Sequence, residues 1–403
     1  MKAIYLFNRI NTANCYGIGQ YIKQIVETLI KNDNYEVNQI NLFSQEREYK
    51  VIKSGNYILH EIPIVTKDIK KYYLSVYYLL ISNFDSKISQ RIFHFNYSSD
   101  YFLANLIKNR INNIAIIFTV HYQKWCLALD GNLMYFKENI VNNNLDNTNS
   151  NDLKIHNSYI IERNFYNISN RIICLNTFIQ NVIISLYKIP KSKLHFMRNC
   201  LDDHYVEITD TEKRKLREKY SFSPDDYIII FAGRLNRVKG IQYLIESMSL
   251  ILKDKKNVRL IIAGDGDFGS CINLARYSLS RISFFGYLDK DDLYNLYQIS
   301  DLGILPSFHE QSSYTMIEMM MFCLPIVITD STALNEVEVP HEMKINIKYK
   351  KRDASIEINK IKDAIIYAIK NKEINKVKYM MRETYIKKYS NVNLSKIRDL
   401  YNF

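Results

Sequence analysis

The sequence predicts an α/β protein built as two successive halves, each a parallel β-sheet covered by helices. Short apolar runs rich in Ile, Val and Phe alternate with helical stretches along the chain, the pattern of parallel strands buried on both faces. The 403 residues are too many for one ordinary core and comfortable for two. Glycine is scarce, 11 residues against about 28 at ordinary usage, and most of the glycines stand at the ends of expected strands.

In the first half the expected strands are Lys2–Phe7, Glu36–Phe43, Tyr57–Ile62, Arg91–Phe95, Ile114–Val120, Arg171–Leu175 and Leu194–Met197. In the second they are Tyr227–Ala232, Val258–Ala263, Ile282–Phe285, Leu302–Leu305, Ile326–Thr329 and Lys344–Ile347. After Gly240, residues Ile241, Leu244, Ile245, Met248 and Leu252 recur at helical spacing and give one apolar stripe for docking on a sheet. A boundary is expected near Cys200–Glu212, so the domains read as 1–204, 205–385 and a closing helix, 386–403, that crosses back to the first domain. The Asn-rich stretch Asn142–Asp152 reads as a loop.

No apolar run approaches the ~20 residues of a membrane span, and no signal-peptide pattern follows the start. The six cysteines are scattered, with no CxxC pair. These features imply reduced thiols and a cytoplasmic protein. Formal charge is +12, of which +9 falls in residues 1–200 and +3 in the rest. A basic half suits nucleic acid, an anionic membrane face or an anionic substrate, or reflects a general surface bias. Lys67, Lys70 and Lys71, followed by the aromatic stretch Tyr72–Ile81, read either as a membrane-surface helix or as a helix docked on the core.

Two segments carry chemistry. In Phe231–Gly240 (FAGRLNRVKG) a strand ends at Ala232, Gly233 turns, and Arg234 and Lys239 flank the next helix. A guanidinium and a flexible ammonium at a strand-to-helix turn suit a pyrophosphate. In Glu310–Glu318 (EQSSYTMIE) Ser312 or Ser313 caps the helix Tyr314–Phe322, and its free N–H groups suit a phosphate. Glu310 and Glu318 lie on either side, placed to accept sugar and ribose hydroxyls.

These segments, with Ile261–Gly266 (IIAGDG), Phe284–Leu288 (FFGYL) and Asp301–Ser307, resemble in order and spacing the motifs of family 4 glycosyltransferases. These are retaining enzymes of the GT-B fold, two Rossmann-like doubly wound domains facing each other across a cleft, with a Glu-x7-Glu signature. The likeness is strong over Cys200–Val337. It is thinner in the first half, at Gly17–Gly19 (GIG), Thr119–Tyr122 (TVHY), Ile172–Asn176 and Asn199–Asp202.

The resemblance implies that Arg234 and Lys239 hold a sugar donor's diphosphate behind Gly233 and Gly264. Glu318 would hold the ribose and Glu310 the transferred sugar. Tyr287 and Leu288 would frame the base, and Ser313, Tyr314 and Thr315 would meet the phosphate. Gly17 and Gly19 would let the backbone approach the phosphates, and His121 would stand near the reacting carbon. No metal or cofactor is expected, because two cations and a helix dipole can carry the leaving group's charge. The implied partners are a nucleotide-sugar donor and a saccharide, lipid-linked or peptide acceptor. Peripheral membrane contact through the basic first domain is a further expectation, and nucleic acid is not. Ser312-Ser313-Tyr314 stands where the family has Phe-Gly-Leu, and Tyr122 where it has Asp, which leaves the sugar open. Rival readings are a sugar-nucleotide epimerase or phosphorylase of the same architecture and a non-catalytic partner subunit. A nicotinamide-dependent oxidoreductase fails because GIG is not a GxGxxG fingerprint.

Overall fold

A computed structural model describes residues 2–10, 17–142 and 150–403. The predicted Asn-rich loop lies outside them for 143–149, and its last residues open the helix Ser150–Ile168. The chain forms two compact units. One comprises Met1–Trp125, Phe136–Asn199 and Val392–Phe403, the other Cys126–Tyr135 and Cys200–Asn391.

The described residues of the first unit carry an eight-stranded sheet. Its strands are β1 (Lys2–Arg9), β2 (Tyr35–Ser44), β3 (Lys50–Ser54), β4 (Tyr57–Pro63), β5 (Gln90–Phe95), β6 (Ile114–Val120), β7 (Arg171–Cys174) and β8 (Leu194–Phe196). They are ordered β3-β4-β2-β1-β5-β6-β7-β8, parallel except for the edge pair β3–β4. Strand β3 was not expected from the sequence: all five of its residues are exposed, so KVIKS carries no burial pattern. One sheet face packs Ile4 and Leu6 against Tyr21, Ile22 and Ile25 of the helix Gly17–Leu29 and against Ile397, Leu400 and Tyr401 of the C-terminal segment. The opposite face is aromatic, with Phe7 stacked on Phe95 at 4.2 Å between centroids.

The second unit has a six-stranded parallel sheet in the order β11-β10-β9-β12-β13-β14. These strands are β9 (Tyr227–Ala232), β10 (Val258–Ala263), β11 (Ile282–Gly286), β12 (Leu302–Leu305), β13 (Ile326–Thr329) and β14 (Lys344–Ile345). A short hairpin, β15 (Lys348–Lys350) with β16 (Asp353–Ser355), follows. Strand β9 sends Ile229 and Phe231 to one core and Ile228, Ile230 and Ala232 to the other, the period-2 alternation of a strand buried twice. The helix Ile241–Asp254 closes one face with Ile241, Leu244, Ile245 and Met248, while Leu252 packs at its margin. Helices Tyr314–Met321 and Ile374–Lys388 close the other through Met316, Ile317, Met381 and Tyr385.

Strand order reverses between β1 and β5 in the first sheet and between β9 and β12 in the second. Open parallel sheets bind ligands at the carboxyl ends of the strands flanking such a switch.

Candidate functional site

In the second unit the loops leaving β9, β10 and β11 are tied edge to edge. Gly233 N–H donates to the Ala263 carbonyl at 2.9 Å, Gly264 N–H to Gly286 at 2.7 Å and Leu235 N–H to Asp265 at 2.8 Å. A Cβ on Gly264, which holds φ +141°, would stand 1.9 Å from the Gly233 carbonyl oxygen, so the approach requires glycine. Across the switch, Gly240 at φ +65° would put a Cβ 1.9 Å from the Pro306 carbonyl oxygen. This close contact joins the loops leaving β9 and β12.

Between those loops stands a polar cluster. Asn236 caps the 3-10 turn Arg237–Lys239, and Lys239 Nζ donates to Glu310 Oε1 at 2.6 Å. Ser307 Oγ donates to the same oxygen at 2.8 Å. Glu310 is 6% exposed, so its carboxylate is held by charge-assisted contacts inside the protein. Its N–H donates to Thr332 Oγ1 (3.1 Å), and the Thr332 hydroxyl donates to the Glu310 carbonyl (2.5 Å). With that proton committed, Thr332 Oγ1 accepts from His309 Nδ1 at 3.2 Å. Nε2 of His309 is then the bare nitrogen, buried and without a partner among the described residues. Burial holds the His309 pKa down, at about 4. Arg234 is exposed at the rim, whereas Arg237 turns away to Asp130 Oδ2 (3.1 Å) and the Ala354 carbonyl (3.2 Å).

A second cluster surrounds Glu318, which is 2% exposed. Its Oε2 accepts from Tyr297 OH at 3.1 Å, and its Oε1 from Lys290 Nζ. Ser313 caps the helix, accepting from Met316 N–H at 3.3 Å, with Tyr314 and Thr315 opening the first turn. Tyr287 is exposed beyond β11, and Leu288 packs on the core. Among the described residues no group of three or more His, Cys, Asp or Glu is placed to hold a metal. Asp289 caps the helix Lys290–Ile299, and Asp203 pairs with Arg382.

In the first unit His121 follows β6 at its carboxyl end. Asn96 Nδ2 donates to the Phe7 carbonyl at 2.9 Å, so its Oδ1 must accept from His121 Nε2 at 3.0 Å. His121 therefore carries its proton on Nε2 and leaves Nδ1 bare. Burial holds its pKa down, at about 3, so the ring is neutral near pH 7. The Tyr21 ring meets it edge-on at 4.6 Å. Behind it, Tyr21 OH contacts Thr119 Oγ1 (2.9 Å), Thr119 Oγ1 contacts His94 Nε2 (2.7 Å), and His94 Nδ1 contacts Tyr401 OH (2.6 Å).

Residues 212–385 match the model of the family described as glycosyl transferases group 1. The second unit belongs to that family. An uncharacterized glycosyltransferase of Methanocaldococcus jannaschii is 28% identical to this chain over 193 residues, 47% of this chain and 49% of that one. The alpha-D-kanosaminyltransferase of Streptomyces kanamyceticus is 27% identical over 156 residues, 37% of this chain and 40% of that one. The chain thus matches about half the length of such relatives or less. Sucrose-phosphate synthase from Thermosynechococcus elongatus superposes with a TM-score of 0.77 at 14% identity, over 100% of this chain and 98% of that one. The fold is that of GT-B glycosyltransferases.

Within the group 1 glycosyl transferase unit, the structure brings Lys239 and Glu310 into contact, while Gly264 packs on the Gly233 carbonyl and Arg234 is exposed. Glu318 belongs to a separate cluster with Lys290 and Tyr297. His121, Gly17 and Gly19 lie in the first unit, the two glycines in the opening turn of the helix Gly17–Leu29. Sequence reasoning missed Ser307, His309, Thr332, Lys290 and Tyr297. Lys290, Tyr297, His309 and Thr332 reach their partners through tertiary folding, Ser307 bonds Glu310 three residues on, and only Ser307 and His309, beside Glu310 in the chain, carried a local signal.

Proposed function

We propose that the protein transfers a sugar from a nucleoside-diphosphate sugar to an acceptor, with retention at the anomeric carbon. The carrying observation is the Lys239–Glu310 pair at the switch point of the second sheet. A cation suited to a diphosphate lies within one hydrogen bond of a carboxylate suited to sugar hydroxyls, which is the spacing of two adjoining parts of one ligand. As the anomeric C–O bond breaks, negative charge grows on the diphosphate, and Arg234 and Lys239 supply the positive charge to take it. Thr332 and Ser307 fix Glu310 from behind, so binding reorients little besides the lysine. Neutral His121 would act at the reacting carbon.

A thermal-shift panel of nucleotide sugars tests this directly: at least one should stabilise the protein. Lys239→Ala should weaken nucleoside-diphosphate binding by about 1.5–3 kcal/mol, the worth of a charge-assisted contact, and Glu318→Ala should abolish most transfer. Wild-type behaviour in both variants removes the assignment. Transfer is expected to persist in excess EDTA; its loss, restored by Mg²⁺ or Mn²⁺, would move the diphosphate role away from Arg234 and Lys239.

The acceptor is proposed to be a saccharide, lipid-linked or peptide group. Among the described residues no helix is long and apolar enough to cross a membrane. The helix Ile69–Ser82 buries Tyr72, Tyr73 and Tyr77 in the core and leaves Tyr78 exposed. Peripheral membrane contact would rest instead on exposed Ile64, Val65 and Ile69 beside Lys67, Lys70 and Lys71. Cosedimentation with anionic against neutral vesicles tests it.

A further inference from the structure

Glu318 presents its two oxygens to very different partners. Oε2 is fixed by Tyr297, a fully buried phenol on the helix Lys290–Ile299. Oε1 is covered by Lys290, whose side chain is 55% exposed against 3% for that of Glu318. An ammonium on a flexible stem can leave such a contact without unburying anything. The Tyr294 ring, 5.7 Å from Nζ, remains beside it. A buried carboxylate with no cation nearby would be costly, and Lys290 removes that cost when nothing else occupies the site.

We propose that Lys290 is a specificity-determining residue that stands in for the ligand at Glu318: its ammonium holds the oxygen that a ribose diol would take, and a nucleotide must displace it. The proposal rests on the donor-site reading above. Displacement makes the pair a built-in competitor, so ribose hydroxyls are worth less to the wild-type protein than to one without the lysine. Phosphate and base contacts are untouched by the exchange, which confines the effect to ribose.

The test is calorimetric binding of UDP, GDP and ADP and of their 2′,3′-dideoxy counterparts to the full chain and its variants. Lys290→Met should bind the preferred ribonucleotide roughly two- to fivefold tighter, the size of a half-exposed ion pair, with the dideoxy compound unchanged. Lys290→Arg, which keeps the competitor, should match wild type or bind more weakly. Glu318→Gln should erase most of the difference between ribo and dideoxy forms. If Lys290→Met binds both forms alike or gains nothing while Glu318→Gln still erases the difference, the competitor role is wrong and the donor site stands. If Glu318→Gln leaves the difference intact, or if none of the three diphosphates binds the wild type, both fall.

Discussion

Gly240 shows how closely single residues constrain this site. Its left-handed φ and the 1.9 Å that would separate a Cβ from the Pro306 carbonyl leave a side chain no room against backbone. Gly240→Ala should lower unfolding free energy by about 2–4 kcal/mol, combining backbone strain with overpacking, and should separate Lys239 from Glu310. Urea unfolding and nucleotide titration would check both. Gly55, equally left-handed but with open space around it, is the control: Gly55→Ala should cost only about 1 kcal/mol. His121→Ala should reduce transfer far more than nucleotide affinity; equal losses would return the ring to a packing role. Residues at strand ends, such as Arg234, Lys239 and Glu310, were legible because a strand, a glycine and a charged turn follow one another in sequence. Lys290 was not, since 28 positions separate it from Glu318 and only the fold brings them together.

Elements with a strong local period were equally legible. The stripe of Ile241–Asp254 and the apolar run of β9 could be read because burial repeats at the period of the element. Elements set by their neighbours could not: exposed β3 exists because β4 offers it an edge, and the hairpin β15–β16 buries only Ala354. The chain's last segment differs from expectation in form. The helix ends at Lys388, and Asn391–Tyr401 is a 3-10 turn. Its anchor is the Tyr401 hydroxyl on buried His94. Tyr401→Phe keeps the ring and strands the imidazole nitrogen, at a cost of about 1–3 kcal/mol. Hydrogen exchange should then rise first in residues 391–403; unchanged protection there would show that Ile397 and Leu400 suffice to hold the segment.

Several buried imidazoles give the whole molecule a pH dependence of definite sign. Burial lowers the pKa of His60 and His309 to about 4 and those of His94 and His121 to about 3. The unfolded chain titrates these rings near 6.5. Between about pH 6.5 and those folded values the unfolded state binds more protons, so stability falls as pH falls. Buried Glu162 opposes this: burial raises its pKa to about 7, so its contribution is present in acid and lost as pH rises from the ordinary carboxyl range through 7. Urea midpoints should still drop between pH 6.5 and 4, four rings outweighing one carboxyl, and His94→Gln should flatten the slope. A midpoint that rises on acidification would contradict the balance.

The route of the chain has a consequence for exchanging parts between relatives. Cys126–Tyr135 belongs to the second unit although its sequence lies inside the first. It is fastened by Asp130 to Arg237, by Asn132 to the Lys351 carbonyl, and by Gly131, where a Cβ would come within 3.0 Å of the Phe308 carbonyl. A hybrid gene that splices in a foreign segment 200–391 would therefore pair the new Arg237 and Phe308 positions with a resident loop chosen for other partners. Recombinants that carry 126–135 along with the graft should express and melt like their parents, and those that leave it behind should melt lower. Inheritance of this half is therefore two-piece, and a single crossover near Cys200 would break a matched set.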